Sequence, residues 1–246
     1  FLRLRKMISV VQQSKSCCAT AYYMAKDLQY LYASKKFFHT LPHCFEVNAF
    51  KLDRKDNIRG KKAKCQIAYH GALMFGRNMR GLLDAYSQLI EENETIKKTT
   101  EFVLRVKGEN VDEFKTIYKH NNNIHILDPL DFSNSFNEQL HESDINIILE
   151  NGPYYSNILP GKVPLLANLG KPVFILSPLK SELRRITENP VHYIADMNNI
   201  AEIKEKLKDI ILRTLKNESF EKPFGNYFSD ENFINSIQTI INIDYE

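Results

Sequence analysis

The chain has 246 residues, and its 33 basic and 30 acidic side chains leave a formal net charge of only +3. With 43% apolar residues, nine Gly and nine Pro, it is typical of one large or two small globular domains, which excludes a disordered chain. The near-balance of charge argues against nucleic acid as the main partner. The four cysteines show no metal-ligand spacing and predict reduced thiols, as in a cytoplasmic protein, and no apolar run predicts a membrane span.

The first 50 residues predict a small α/β piece, with a strand over residues 7–11, a helix over 17–32 and a strand over 37–41. Residues 51–64 follow, with seven Lys and Arg and few apolar side chains. This composition predicts an exposed linker between domains. A nucleic-acid or membrane-surface role for these basic residues is the alternative interpretation.

Six short apolar runs then alternate with segments of helical period. The predicted strands cover residues 65–70, 102–107, 124–127, 145–150, 173–177 and 192–195, and the predicted helices cover 79–90, 111–118, 132–140 and 200–211. Parallel strands need crossover helices, and these helices cover both faces of the sheet. Residues 65–216 therefore predict a Rossmann-like α/β fold with a doubly wound parallel sheet. In such a sheet, ligands bind outside the carboxyl ends of the strands. Residues 217–246 predict a loop and a helix that packs back on the rest of the chain.

A segment near the middle of this region has the features of an anion-binding site. The sequence Leu159-Pro160-Gly161-Lys162-Val163-Pro164 predicts a helix entrance, and Gly170-Lys171-Pro172-Val173 predicts the entrance to the next strand. The free N–H groups at a helix start attract negative charge, and a lysine beside them adds a full positive charge. A phosphorylated ligand follows from this pattern.

Several other reaction classes lack their sequence motifs. The chain contains no Gly-x-Gly-x-x-Gly after a strand, no Gly-x-x-x-x-Gly-Lys-Ser or Thr, and no Gly-x-Ser-x-Gly. His125 and His192 stand without metal-ligand spacing. These absences argue against a dinucleotide-dependent dehydrogenase, a P-loop nucleotidase and an α/β-hydrolase.

The order of these features resembles the C-terminal, donor-binding half of a retaining GT-B glycosyltransferase, close to the family 4 group. The resemblance covers about residues 64–215. It depends on five segments in the same order: residues 69–71 with 77–85, 102–108, 123–130, 142–147, and 159–164 with 169–173. Residues 9–14 and 37–46 are similar to the end of the acceptor domain, so the resemblance implies that most of that domain precedes Phe1 and that the isolated chain lacks turnover.

The resemblance implies an enzyme of the hexosyltransferase type that moves a sugar from a nucleoside-diphosphate-sugar donor to a glycan or lipid-linked saccharide. It implies no metal and no other cofactor, a cytoplasmic location, and peripheral association of the whole enzyme with the inner face of the membrane. No catalytic residue is assigned. The donor-binding candidates are Gly71, Arg77, Arg80, Lys107, Glu150, Asn157, Gly161, Lys162 and Val163.

Two positions depart from the family pattern. Where the family has two glutamates eight residues apart, counting back from Gly170 gives Asn157 and Leu165. Asn157 can still bind a sugar hydroxyl, whereas Leu165 cannot hold a ribose, and Glu150 is a nearby carboxylate that could substitute. A non-catalytic or degenerate nucleotide-sugar-binding subunit is therefore an alternative, and a Rossmann-like interaction domain without a ligand is a third.

Each candidate also has a plain structural interpretation. Arg77 and Arg80 are also compatible with solvent-facing residues at the start of a helix. Lys107 and Lys171 are also compatible with ordinary surface lysines. His70, at the end of the first strand of the sheet, suits a half-buried histidine as well as a donor contact.

Overall fold

Six parallel strands form the central sheet of the computed structural model, which describes residues 2–32, 36–44, 64–187 and 193–243. In chain order they are β3 (Cys65–Leu73), β4 (Thr100–Gly108), β5 (Ile124–Leu127), β6 (Ile145–Leu149), β8 (Val173–Ser177) and β10 (Ile194–Asp196). Their order across the sheet is β10-β8-β6-β3-β4-β5. The strand order therefore reverses between β3 and β6, which is the place where doubly wound sheets bind ligands. Two short strands outside this sheet, β7 (Tyr155–Ser156) and β9 (Lys180–Ser181), pair with each other. The predicted fold class is confirmed.

The central strands are apolar because both faces of the sheet are covered. Every residue of β6 and β8 is buried. One face packs against helices from the first half of the domain and the long helix near the end, including Leu82, Tyr86 and Ile203. The other face packs Ile148 and Ile175 against a second apolar cluster.

The helices that connect and follow these strands include the four predicted over residues 79–90, 111–118, 132–140 and 200–211. In chain order these helices are α3 (Arg80–Glu92), α4 (Glu94–Thr99), α5 (Val111–Ile117), α6 (Phe132–Asn137), α7 (Val163–Asn168), α8 (Glu182–Ile186), α9 (Ile200–Leu215) and α10 (Asp230–Ile243). A single π-helical turn, Glu138–Glu142, extends α6. Within the described residues, no helix has both the length and the apolar character of a membrane span.

The N-terminal segment, which comprises the described residues up to 44, contains α1 (Leu2–Gln13), β1 (Cys17–Ala19), α2 (Tyr22–Leu31) and β2 (Phe38–Thr40). The predicted strand over residues 7–11 is wrong, because these residues belong to α1. Val11 packs from this helix on the cluster formed by Ala19, Ala25 and Phe38. The predicted helix over residues 17–32 begins later than expected, because residues 17–19 pair in parallel with β2.

The helix predicted within residues 217–246 is confirmed as α10. The loop before it buries Phe224 and Phe228 in the same apolar cluster as Ile148 and Ile175 of the sheet. Ala21 of the N-terminal segment belongs to that cluster as well. The predicted linker lies outside the described residues except for Lys64, so the division into domains at residues 50, 64 and 216 stays a prediction.

Candidate functional site

A cavity of about 360 Å³ opens at the carboxyl ends of β3 and β4, next to the reversal of strand order. The ends of these two strands, the loop after β5, the exposed side of α6 and the start of α7 form its wall. The lining residues are His70, Gly71, Ala72, Arg77, Arg105, Lys107, Pro129, Leu130, Phe132, Ser135, Phe136, Gln139, Pro160, Gly161, Lys162 and Leu165. Four of them are basic and none is acidic, so the cavity is suited to an anion.

Lys162 places its ammonium group inside the protein, and no carboxylate among the described residues pairs with it. Its Nζ donates to the backbone oxygen of His70 at 2.8 Å and lies 3.7 Å from the centre of the Tyr69 ring. Burial, and then the positive charge of Arg77, lower the pKa of Lys162 well below its ordinary value. A bound anion would supply the negative charge that this lysine lacks.

Arg77 joins the two loops on either side of the strand reversal. Its Nε donates to Oδ1 of Asn151, after β6, at 2.7 Å, and its Nη1 donates to the backbone oxygen of Ala72, after β3, at 3.3 Å. Both contacts are to neutral oxygens, so the guanidinium keeps its full charge while the loops fix its position. Arg77 therefore adds a positioned positive charge to the same cavity.

Gly71 brings the backbone of β3 close to Lys162. A Cβ atom at position 71 would lie 3.1 Å from the hydroxyl oxygen of Tyr69 and 3.4 Å from Nζ of Lys162. Any larger residue would therefore push into the space around the ammonium group. A glycine here keeps this part of the cavity open.

Arg105 belongs to a second polar cluster in the cavity wall. Its Nε and Nη2 donate to the carboxylate of Glu138, with the shortest distance 2.9 Å from Nη2 to Oε2. The arginine side chain is 21% exposed and the glutamate side chain 8%. A paired arrangement with two donors fixes the plane of the guanidinium group.

His70 completes this cluster as a neutral side chain. Burial, together with the charges of Lys162 and Arg105, lowers the pKa of His70 to about 3. Nδ1 lies 2.9 Å from the hydroxyl of Ser135, which also accepts a hydrogen bond from Gln139. Nε2 lies 3.6 Å from Oε1 of Glu138 without a hydrogen bond to any described residue.

Five of the nine sequence-predicted candidates line the cavity: Gly71, Arg77, Lys107, Gly161 and Lys162. They come from three separate parts of the chain and meet because the carboxyl ends of parallel strands share one edge of the sheet. The other four candidates lie elsewhere.

Arg80 lies outside the cavity, on the surface between α3 and α5. Its Nη1 is 3.1 Å from Oε1 of Glu113 and its Nε is 3.7 Å from Oδ2 of Asp84, and its side chain is 49% exposed. These acidic partners hold Arg80 in solvent, so of the two predicted arginines only Arg77 reaches the cavity.

Glu150 is fully buried at the end of β6 and has no access to the cavity. Its Oε2 accepts from the Ser177 hydroxyl at 2.5 Å and its Oε1 from the Leu183 N–H at 3.4 Å. Burial raises the pKa of Glu150 to about 7. These contacts connect β6 to β8 and α8, so Glu150 has a structural role. It does not replace the carboxylate that the family pattern has at the position of Leu165.

Asn157 turns away from the cavity toward the N-terminal segment. Its Nδ2 donates to Oδ2 of Asp27 in α2 at 2.6 Å, and the Tyr155 hydroxyl donates to the same oxygen at 2.8 Å. Leu165, by contrast, is 4% exposed and lies in the cavity wall. The two positions that depart from the family pattern thus have different surroundings.

Val163 is buried, and its backbone N–H is already used. It donates to the backbone oxygen of Pro160 at 3.0 Å, and Pro164 carries no N–H. The predicted set of free N–H groups at this helix start is therefore smaller than expected, and side chains supply most of the positive character of the cavity.

Sequence reasoning missed Arg105, Ser135 and Gln139. Arg105 lies two residues before Lys107 on the same strand, and alternate residues of a strand point to the same face. That spacing was a usable signal, because Lys107 was already placed at the ligand edge. Glu138, which holds Arg105, is 33 residues away and gave no signal.

Within the described residues, no group of three or more His, Cys, Asp or Glu side chains is arranged to hold a metal ion.

No protein-family model matches this sequence, and no curated protein matches it. Solved structures do match its fold. TarM has a TM-score of 0.68 at 10% identity over 97% of this chain, and the lipopolysaccharide outer core galactosyltransferase WaaB has 0.63 at 11% over 94%. A glycosyltransferase from Rickettsia africae has 0.64 at 11% over 94%.

This chain spans 45% of TarM, 62% of WaaB and 63% of the Rickettsia protein. A TarM variant from S. aureus, with a TM-score of 0.67 and 9% identity over 97% of this chain, was crystallised with fondaparinux, alpha-GlcNAc-glycerol and UDP. At these identities the likeness concerns the fold alone. The chain has the α/β fold of the GT-B glycosyltransferases.

Proposed function

We propose that this chain binds the diphosphate of a nucleotide-sugar donor and supplies the donor half of a glycosyltransferase close to family 4. The observation that carries the proposal is a cavity at the carboxyl edge of the sheet with four basic side chains and no acidic one. The fold supports it, because GT-B glycosyltransferases are the neighbours with matching architecture.

The chemistry of sugar transfer explains why such a cavity is useful. When the bond between the sugar and the diphosphate breaks, negative charge develops on the leaving diphosphate, and fixed positive groups stabilise it most in the transition state. We assign this task to Lys162 and Arg77, which line the cavity. The acceptor would be a glycan or a lipid-linked saccharide, and transfer without a metal, a cytoplasmic location and membrane association stay predictions.

A non-catalytic binding subunit is the second candidate, and one observation favours it. Leu165 lies in the cavity wall where the family has a carboxylate, and Asn157 is bonded to Asp27 instead of facing the cavity. Release of free nucleoside diphosphate from a bound nucleotide sugar, measured on the full-length protein with its acceptor, would separate an enzyme from a subunit that only binds.

The test of donor binding is a calorimetric and thermal-shift titration of the chain with nucleoside diphosphates and their sugar conjugates, comparing wild type with Lys162→Met. A ligand that binds only the folded state raises the melting temperature, and the stabilisation grows with the logarithm of the ratio of ligand concentration to dissociation constant. We expect Lys162→Met to weaken binding by about tenfold or more, since hydrogen bonds to charged groups contribute about 1.5–3 kcal/mol.

Arg80→Gln is the matched control, because it also removes one positive charge but from outside the cavity. It should leave the affinity within about twofold of wild type, as expected for an exposed, solvent-screened charge. If no nucleoside diphosphate binds at millimolar concentration, the proposed function is wrong. Equal losses in both variants would show that only net charge matters.

A further inference from the structure

A row of aromatic side chains lies outside the cavity, where the N-terminal segment meets the loop after β6. The ring centres of Tyr22 and Tyr23 are 5.6 Å apart, and those of Tyr23 and Tyr155 are 5.9 Å apart. Phe37 belongs to the same surface, because Nζ of Lys26 lies 5.2 Å from the centre of the Phe37 ring and 5.5 Å from that of Tyr22. These four rings form the aromatic strip, and none of them lines the cavity.

Most of the aromatic strip is open to solvent. Phe37 is 54% exposed, Tyr22 39% and Tyr155 38%. Single exposed rings are common on protein surfaces, whereas neighbouring ones expose a continuous apolar area that typically marks a binding site. The rings come from α2, from the residue before β2 and from β7, so the fold and not one local segment brings them together.

Two lysines lie over the aromatic strip, and neither pairs with a carboxylate in the part of the chain that the structure describes. Lys26 lies over Phe37 and Tyr22, as given above. Nζ of Lys180 lies 5.1 Å from the centre of the Tyr155 ring and 5.5 Å from that of Tyr23. The negative face of an aromatic ring attracts an ammonium group and keeps it close. The strip therefore carries positive charge that an anion can reach.

The acidic side chains of this surface are already engaged. Asp27 accepts hydrogen bonds from the Tyr155 hydroxyl and from Nδ2 of Asn157. Glu182 is fully buried, and its Oε1 accepts from Nε and Nη2 of Arg185. Since neither carboxylate pairs with the two lysines of the strip, both ammonium groups remain available to a ligand.

Exposed rings beside unpaired ammonium groups fit the chemistry of an acidic saccharide. The C–H groups on one face of a sugar ring carry partial positive charge and meet the negative face of an aromatic ring, while carboxylate or sulfate groups pair with lysine. A single-stranded nucleic acid also combines stacking with basic side chains. The near-balance of 33 basic and 30 acidic residues disfavours that partner, because nucleic-acid-binding domains carry a basic excess.

We propose that the aromatic strip, with Lys26 and Lys180, binds an acidic saccharide. The sugar rings lie against the aromatic side chains, and the carboxylate or sulfate groups of the saccharide contact the two lysines. This site goes beyond the proposed function, because it lies outside the cavity and needs no bound nucleotide.

The test is calorimetric titration of the 246-residue chain with oligosaccharides of galacturonate, hyaluronan and heparin, which are acidic, and with a neutral malto-oligosaccharide of similar length. We expect at least one acidic probe to bind about fivefold or more tightly than the neutral one, as two exposed ion pairs permit. Added salt should reduce this preference, because it screens exposed charges. An oligothymidylate is titrated in parallel.

Two double variants separate the roles of charge and rings. Lys26→Gln with Lys180→Gln should reduce the preference for the acidic probe to less than about twofold, since no ion pair remains. Tyr22→Ala with Phe37→Ala should weaken binding of the acidic probe by about threefold or more while both lysines stay in place.

Lys97→Gln with Lys98→Gln is the matched control, because it also removes two exposed lysine charges. These lysines belong to α4, which leads into the amino end of β4, whereas the loops of the strip follow the carboxyl ends of β6 and β8. The affinity for the acidic probe should stay within about twofold of wild type, as for remote, screened charges.

The other outcomes would overturn the proposal. They are the absence of any preference for the acidic probes, equal losses in the control and in the strip lysine variant, unchanged binding in the ring variant, and tighter binding of oligothymidylate that the strip variants abolish. The last result would assign the surface to nucleic acid. Failure of wild type to bind nucleoside diphosphates would overturn the proposed function alone, because saccharide binding is measured without them.

Discussion

At the scale of single residues, the most consequential feature is a buried lysine that pairs with no carboxylate in the part of the chain that the structure describes. Lys162 contacts a backbone oxygen and an aromatic ring, and burial lowers its pKa. A positive charge in this position is costly until an anion arrives. The free site is thus less basic than its composition indicates, and ligand binding and protonation are coupled.

This coupling gives a prediction for proton uptake. A bound diphosphate favours the charged form of Lys162 and raises its pKa back toward the ordinary value, so binding takes up protons when the pH lies between the pKa of Lys162 in the free site and its pKa in the complex. Nucleoside diphosphate affinity should therefore fall as pH rises through that range. Calorimetric titrations in buffers of different ionisation enthalpy measure the uptake directly. Lys162→Met should abolish it; uptake that persists in this variant would assign it to another group.

Glu150 gives a second prediction at this scale, for stability. Its pKa is raised from 4.5 to about 7, so the folded state favours the neutral carboxyl. Stability from this group is complete below about pH 4.5 and is lost as pH rises through about 7. A shift of this size corresponds to roughly 3 kcal/mol. Urea unfolding should show that the difference in unfolding free energy between wild type and Glu150→Gln changes by that order between pH 5 and 8.

Glu91→Gln is the control for this experiment, because Glu91 is an exposed glutamate of α3. Its unfolding free energy should follow that of wild type at every pH. If Glu150→Gln also follows wild type, the buried carboxyl does not titrate in this range.

At the scale of elements, the close pairing of β3 and β4 fixes the edge on which the cavity is built. The two strands run side by side from Cys65 opposite Thr100 to Leu73 opposite Gly108. Gly108 has a φ of +109°, and a Cβ atom there would lie 2.4 Å from the backbone oxygen of Leu73. Only glycine fits both the backbone conformation and the space.

We therefore expect Gly108→Ala to destabilise the fold by about 2 kcal/mol or more, since the strained conformation and the collision with a backbone oxygen add. Urea unfolding monitored by circular dichroism measures the change. Gly161→Ala is the matched control: a Cβ atom at Gly161 meets nothing within 4 Å, and its effect should stay within about 0.5 kcal/mol. Similar stability of the two variants would contradict this account of the strand pair.

At the scale of the whole molecule, polar contacts join the N-terminal segment to the loop after β6. Asp27 of α2 accepts hydrogen bonds from Tyr155 and Asn157, and the Tyr23 N–H lies 3.3 Å from Oε2 of buried Glu182. Polar contacts of this kind resemble those between domains that move relative to each other.

Asp27→Ala should loosen this connection without unfolding the sheet. Removing the shared acceptor takes away two hydrogen bonds at an exposed position, for which we expect a global destabilisation of about 1 kcal/mol or less. Amide hydrogen exchange should become faster in α2 and in residues 155–157, and should stay unchanged in β6 and β8.

Tyr155→Phe removes only one of these hydrogen bonds and should give a smaller acceleration in the same amides. Exchange that becomes faster throughout the sheet, or that does not change in α2, would show that Asp27 does not connect the two parts.

The sequence by itself determined the sheet and several of the residues that line the cavity. Strands such as β6 and β8 are buried on both faces, so their residues form continuous apolar runs that stand out without any structure. The alternation of these runs with helical segments predicts parallel strands, and their carboxyl ends bring Gly71, Arg77, Lys107, Gly161 and Lys162 together. These features are local patterns, and local patterns are what a sequence displays directly.

Only the tertiary structure decided which side chains share a partner. Glu113 holds Arg80 on the surface, Glu138 holds Arg105 in the cavity wall, and Asp27 holds Asn157 across 130 residues of chain. Such pairs depend on strand order and on the direction of each loop, which hydrophobic periodicity does not encode. The helix α1 is a similar case. Its apolar residues fit the pattern of a short strand and that of a helix face equally well, and the packing of Val11 against the neighbouring cluster is a tertiary contact that the pattern does not display.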